Sequence, residues 1–137
     1  MIAISACLAG VSCRYDGNAN TCKKAQELIK EGKAIIICPE QLGGMETPRT
    51  PCEIKDGRVI NENGEDKTKE FIKGADEALK ICKLYGVKEA ILKSGSPSCG
   101  YGRIYDGNFS RIKIDGNGIT AQKFIEAGIK IKTEKDI

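Results

Sequence analysis

Short apolar segments that alternate with longer helical segments are the feature of this sequence that most restricts its fold. The run "AIII" at 34–37 is apolar without interruption, which is typical of a strand covered on both faces. Three other short runs are also predicted to be strands. The predicted strands are Ile2–Ala6, Ala34–Ile37, Glu89–Leu92 and Lys130–Thr133.

The segments between these strands have helical periodicity. The clearest is the second, where apolar residues from Phe71 to Cys82 recur every three or four positions and Gly86 follows as a C-terminal cap. The predicted helices are Thr21–Glu31, Asp66–Tyr85 and Ile119–Ala127. Regular alternation of strands and helices predicts one α/β domain over residues 1–137, Rossmann-like, with a mostly parallel sheet flanked by helices. The stretch "EIKDGRVI" at 53–60 predicts a small hairpin insertion with Asp56-Gly57 at its turn.

Seven cysteines and no histidine limit the chemistry that is available to this chain. The commonest general base and the commonest metal ligand are therefore absent. An odd number of thiols excludes a complete set of intramolecular disulfides, and the apolar first residues lack a basic leader. No apolar run approaches the roughly 20 residues of a membrane span. We therefore expect a reducing, cytoplasmic compartment, in which grouped cysteines more often bind metal or carry out redox chemistry.

Three of the cysteines follow predicted strands. Cys7 and Cys38 end "AISAC" and "AIIIC", and Cys99 lies a short loop past "EAIL". Because the carboxyl ends of parallel strands share one edge of a sheet, these three thiols should converge. Spacing alone leaves several arrangements open: a [4Fe–4S] cluster on three thiolates, zinc, a redox thiol pair, or buried cysteines without metal. Cys13 and Cys52, in nearby loops, are candidates for a fourth ligand.

A carboxylate and an arginine lie in the loop after the second strand. Glu40, two residues after Cys38, is a candidate acid or base because partial burial beside a site raises the pKa of a carboxyl group. Arg49, in "TPR", is expected either to pair with Glu40 or to hold an anionic ligand.

The loop "LKSGSPSCGYG" offers several polar groups next to Cys99. Ser96 and Ser98 either bond the backbone of their own loop or reach a ligand. Lys93, at the end of the strand, either stabilises negative charge on a ligand or is solvated. Glycines such as Gly100 let the backbone approach a ligand and direct its amides at negative charge.

Four blocks together resemble the DUF523 family, which includes the thiouracil desulfurases. They are "SACLAGVSCRYDG", "CPEQLGGMETPRTPCEI", "ILKSGSPSCGYGRIYDGNFS" and "GNGITAQKFIEAGI", and the resemblance extends in order from Ile4 to Glu134. The resemblance implies removal of sulfur from 2-thiouracil to give uracil, with a [4Fe–4S] cluster as cofactor. It implies that Cys7, Cys38 and Cys99 are the cluster ligands.

The resemblance also implies catalytic roles for Glu40 and Ser96. An iron without a protein ligand would bind the substrate sulfur as a Lewis acid, Glu40 would activate water, and no net electron transfer would occur. Lys93, Ser98, Gly100 and Arg49 are then the expected substrate-binding residues.

Two other classes of function stay open on the sequence. One is an iron–sulfur or hydrosulfide carrier without turnover of its own, and the other is a non-catalytic binder with zinc or no metal. A small thiolated pyrimidine fits better than RNA, because Arg and Lys are not grouped in the site loops and aromatic residues are only 5% of the chain.

Overall fold

The computed structural model describes residues 1–137 and has the predicted α/β architecture. Its central sheet has four strands, all parallel, in the spatial order Ala34–Ile37 (β2), Ile2–Ser5 (β1), Glu89–Leu92 (β5) and Lys130–Thr133 (β8). In chain order the elements are β1 (Ile2–Ser5), α1 (Lys23–Lys30), β2 (Ala34–Ile37), α2 (Pro39–Leu42), β3 (Cys52–Lys55), β4 (Arg58–Asn61), α3 (Thr68–Leu84), β5 (Glu89–Leu92), β6 (Arg103–Tyr105), β7 (Lys113–Asp115), α4 (Ile119–Glu126) and β8 (Lys130–Thr133). No helix combines the length and apolar character required to cross a membrane.

Two apolar layers cover the sheet. On one face, α3 and α4 pack on the strands, and on the other face α1 packs with the turn that follows β1. The first layer includes Ala3, Ala90, Leu92, Ala78, Cys82 and Phe124, and the second includes Ile4, Ile91, Leu8 and Ala25. Because β1 and β5 lie between other strands, their alternate residues enter both layers.

The predicted strands differ from the observed ones in two details. β1 ends at Ser5 because Ala6–Ala9 form a 3-10 turn, closed by Gly10 with φ 99°. β2 is an edge strand of the sheet, so its residue Ile36 is exposed, and the expectation that this strand is covered on both faces was wrong.

The predicted helices and hairpin are confirmed with small shifts of their ends. α3 begins at Thr68 rather than Asp66, because Asp66 forms a turn in which its Oδ1 accepts the Thr68 amide at 2.9 Å. The β3–β4 hairpin turns at Asp56-Gly57, where both residues have positive φ, as the type I′ turn requires. The short helix α2 and a second hairpin, β6–β7, were not predicted.

Helix α2 lies directly on the backbone of α3. An ideal Cβ on Gly43 would lie 2.0 Å from the carbonyl oxygen of Glu70, and one on Gly74 would lie 1.8 Å from that of Pro39. Only glycine at both positions permits this approach. The contact fixes the position of α2, which carries Glu40, against the body of the domain.

Candidate functional site

A cavity of about 520 Å³ lies at the carboxyl edge of the sheet, and its wall contains all three strand-end cysteines. Cys7 lies in the 3-10 turn after β1, Cys38 directly follows β2, and Cys99 lies in the loop after β5. All three are free thiols. The cavity lies beside β1, where the strand order reverses between β2 and β5. In open α/β sheets this is the usual place for a ligand.

Burial governs the ionisation of these thiols. It raises the pKa of Cys7 to about 11, with a further contribution from the charge of Cys38, and it raises the pKa of Cys99 as well. The pKa of Cys38 is lowered instead, chiefly by a hydrogen bond with Cys13, whose own pKa is raised by the same contact. A buried thiolate is unfavourable without a cation beside it, and a bound metal supplies that positive charge.

The arrangement of the donors fits a multi-atom group. No three His, Cys, Asp or Glu side chains converge closely enough to bind a single ion. A structural zinc ion needs four ligands around one point, so the arrangement does not suit it. The three thiols are instead spread over the wall of a cavity with room for a larger group. Thiolates are the protein ligands of iron–sulfur clusters, so Cys7, Cys38 and Cys99 fit the cofactor that the resemblance implies.

Two further cysteines line the same cavity. Cys13 is buried, and its carbonyl oxygen lies 4.0 Å from Cys38 Sγ. Cys52, at the start of β3, is half-buried, and burial raises the pKa of its thiol to about 11. The cavity therefore contains five of the seven thiols of the chain.

Glu40 is held in the cavity wall by a buried ion pair. It lies in the first turn of α2, where Arg49 Nε donates to its Oε1 at 2.9 Å. The other carboxylate oxygen, Oε2, lies 3.5 Å from Ser96 Oγ. One oxygen is thus fixed by a charged partner, while the other faces the serine across the cavity.

Arg49 has little capacity left for a ligand. Its side chain is only 5% exposed. Nη1 donates to the carbonyl oxygen of Glu46 and to Thr47 Oγ1, and Nη2 donates to the carbonyl oxygen of Cys13 at 2.9 Å. Of the two expectations for Arg49, pairing with Glu40 is the one that the geometry favours. The arginine also ties the loop of Cys13 to the loop of Glu40.

Ser96 makes two contacts within its own loop. Its Oγ accepts the backbone amides of Ser98 and Cys99, each at 3.0 Å. Since both lone pairs of the hydroxyl are engaged, its proton is available to Glu40 or to a ligand in the cavity. The same two bonds shape the loop that carries Cys99.

Ser98 and Gly100 do not line the cavity, although the sequence suggested that both bind substrate. Ser98 is 1% exposed, and its Oγ lies 2.7 Å from Thr120 Oγ1 in the packing between the loop and α4. Gly100 is buried, and a Cβ there would lie 2.4 Å from the carbonyl oxygen of Ser96. Both residues fix the shape of the loop.

Lys93 lines the cavity, but its charge has a partner. Its Nζ donates to the carbonyl oxygen of Ser94 at 2.8 Å and lies 3.2 Å from Glu134 Oε2. Glu134 also accepts the Ser94 amide and hydroxyl. Glu134, directly after β8, thus fixes the loop that begins after β5 at Lys93.

Basic and aromatic side chains surround the cavity mouth, so the expectation that they are scarce in the site loops was wrong. Half of them lie on the β6–β7 hairpin, which the sequence did not predict. The basic residues of the lining are Arg14, Arg49, Lys93, Arg111 and Lys113, and its aromatic residues are Tyr15, Tyr105 and Phe109.

Fold and site together define a class: a small α/β protein with a thiol-lined cavity at the carboxyl edge of its parallel sheet. The 2-thiouracil desulfurase family matches residues 2–136, and the chain belongs to that family. It is similar to the solved structure of a [4Fe-4S]-dependent thiouracil desulfidase, TudS (DUF523), with a TM-score of 0.95 and 42% identity over 99% of this chain and 91% of that one. It is also 40% identical to the uncharacterized protein YbbK of Bacillus subtilis (strain 168), over 100% of this chain and 97% of that protein.

Proposed function

We propose that the protein is a [4Fe–4S]-dependent desulfurase of thiolated pyrimidines, which converts 2-thiouracil and water to uracil and hydrogen sulfide. The observation that carries this proposal is the placement of three free thiols, Glu40 and Ser96 on the wall of one cavity. Membership of the 2-thiouracil desulfurase family and the similarity to TudS, a [4Fe-4S]-dependent thiouracil desulfidase, support it.

Cys7, Cys38 and Cys99 are the proposed ligands of the cluster. When bound, the cluster supplies a Lewis-acidic iron for the sulfur of the substrate. These three residues, each at or after the end of a parallel strand, would hold the cofactor at the carboxyl edge of the sheet. Cys13 and Cys52 are proposed to remain outside its ligand set.

Glu40 is the proposed general base. With Oε1 fixed by Arg49, Oε2 is free to hold the proton of a water molecule that attacks the thiocarbonyl carbon. Ser96, whose Oγ already accepts two backbone amides, donates a hydrogen bond to the substrate or to that water and keeps its own proton. The sulfur leaves as hydrosulfide and gains a proton, so the reaction needs no oxidant or reductant.

Lys93 is the proposed source of positive charge beside the substrate. Its side chain lines the cavity and is about a quarter exposed. A cation there stabilises the negative charge that develops on the pyrimidine as water attacks.

The test is made on anaerobically purified and reconstituted protein. Iron, acid-labile sulfide and 2-thiouracil turnover are measured on one sample. The Glu40→Gln variant should keep its iron and lose turnover by roughly 10²-fold or more. Glu46→Gln is the matched control, because this exposed carboxylate in the same loop lies outside the cavity.

Iron content tests the ligands separately. Cys99→Ala should lose most of its iron, whereas Cys82→Ala, on the buried face of α3 and outside the cavity, should keep it. A full iron content without turnover in the wild type would favour a carrier over an enzyme. Unchanged turnover in Glu40→Gln would reject the role of this residue.

A further inference from the structure

The loop between β6 and β7 forms part of the cavity wall in an unfavourable backbone conformation. Two of its residues other than glycine have positive φ, Phe109 at 54° and Arg111 at 64°. Both line the cavity. Left-handed conformations are costly for such residues and occur preferentially at functional sites.

Glu53 on β3 holds this loop from outside. Its Oε1 accepts the amides of both Gly107 and Phe109, at 3.0 and 3.2 Å. Gly107 packs so closely on β3 that a Cβ there would lie 2.6 Å from the carbonyl oxygen of Ile54. The β3–β4 hairpin therefore fixes the backbone of Phe109.

Asp106 holds the loop from within. Its carboxylate accepts the amide of Asn108 at 2.9 Å and the hydroxyl of Ser110 at 3.0 Å. Its own amide donates to the carbonyl oxygen of Ile112 at 2.9 Å. The position of Phe109 is thus determined before any ligand binds.

The ring of Phe109 has no role in the core. It is half-buried and belongs to neither apolar layer of the domain. Tyr105, the neighbouring aromatic residue of the lining, already has Lys113 Nζ 5.4 Å from its ring centre, whereas Phe109 makes no such contact. A fixed aromatic ring at an open cavity suits a flat ligand, because every heterocyclic base has a face that stacks on it.

We propose that Phe109 is a specificity-determining residue that stacks on the planar heterocycle of the substrate, and that Glu53 is its positioning residue. The site then selects an unsaturated, flat ring over a puckered one. The identity of the ligand rests on the proposed function, whereas the preference for flat rings rests on Phe109.

The kinetic test uses iron-loaded protein and 2-thiouracil. Phe109→Ala should raise KM roughly 5- to 100-fold, the range that base–aromatic stacking gives in alanine substitutions, with kcat within about threefold. Phe109→Tyr should restore a KM near that of the wild type. Ile112→Ala is the matched control, because this residue of the same loop is exposed and lies outside the cavity.

A double-mutant cycle tests the role of Glu53. Glu53→Ala, which removes the acceptor of both amides, should raise KM in the wild type and have little further effect in Phe109→Ala, because Glu53 acts through that ring. Additive effects would overturn the positioning role, since a general loss of structure acts equally in both backgrounds. Melting temperature and cluster absorbance are recorded for each variant.

Binding without turnover separates this inference from the proposed function. Dissociation constants of uracil and 5,6-dihydrouracil are measured by titration. The wild type should prefer uracil, and Phe109→Ala should lose that preference. An unchanged KM and an unchanged preference in Phe109→Ala would overturn the inference alone. A Phe109-dependent preference without 2-thiouracil turnover would overturn the proposed function alone. If the protein shows neither binding nor turnover, both the inference and the proposed function are overturned.

Discussion

Replacement of Gly74 by alanine will push α2, and with it Glu40, away from the body of the domain. The added Cβ would lie 1.8 Å from the carbonyl oxygen of Pro39 and 2.8 Å from its carbonyl carbon. An ordinary contact needs 3.4 Å or more, so one backbone must move by about 1.6 Å. The oxygen cannot simply turn aside, because it accepts the amide of Gly43 at 2.9 Å.

Two effects of opposite sign set the size of the change. Alanine in place of glycine in a helix interior stabilises by about 1 kcal/mol. Overpacking typically costs about 1–3 kcal/mol, and the upper end applies because backbone, not a flexible side chain, must yield. We expect a net loss of about 2 kcal/mol, which lowers Tm by roughly 6–8 °C in a domain of this size. A displacement of about 1 Å near reacting groups can cost roughly 10²-fold, so kcat should fall by roughly 10- to 100-fold.

Thermal unfolding and 2-thiouracil turnover are measured at matched iron content. Lys73→Ala is the control, because the adjacent exposed position of α3 introduces alanine without a clash. Its Tm and kcat should stay close to those of the wild type. If Gly74→Ala matches the wild type in both quantities, the reasoning is refuted. A lower Tm with an unchanged kcat would show that the contact packs α2 but does not position Glu40.

Two further substitutions test other parts of the site. Arg49→Lys should lower kcat roughly tenfold or more at unchanged iron content. The reason is that one ammonium group cannot bond both Glu40 and the carbonyl oxygen of Cys13, as the guanidinium group does. Kinetics equal to those of the wild type would contradict this prediction. Ser98→Ala should lower the free energy of unfolding by about 1–3 kcal/mol, because it leaves Thr120 Oγ1 buried without its partner. Its KM at matched iron content should not change, and Thr120→Val in the same chain should recover part of the loss.

The sheet and its three long helices were predictable because their signals are local. Apolar strands alternate with amphipathic helices, and glycines such as Gly86, with φ 65°, end the helices where the sequence indicates. Because Cys7, Cys38 and Cys99 each follow a parallel strand, topology alone predicted that they lie at one edge of the sheet, where they line one cavity. The roles of these cysteines as cluster ligands stay a prediction.

The parts that were missed depend on contacts between distant segments. Helix α2 is four residues long, too short for periodicity to reveal it, and it is fixed by glycines on two elements. Ser96 and Ser98 are equivalent in "SPS", yet only the packing of the loop on α4 directs Ser98 to Thr120 and away from the cavity. The place of Phe109 depends on Glu53, more than fifty residues earlier in the chain.

The wide separation of the three cavity cysteines along the chain has a consequence for assembly. Cys7, Cys38 and Cys99 meet only after β1 has paired with both β2 and β5, and such non-local parallel pairing is slow compared with helix formation. A group held by all three thiols therefore has no site in a nascent or partly folded chain. Loading of such a group would follow folding, and the bound group would shift the equilibrium toward the native sheet by mass action, since only the native state would bind it.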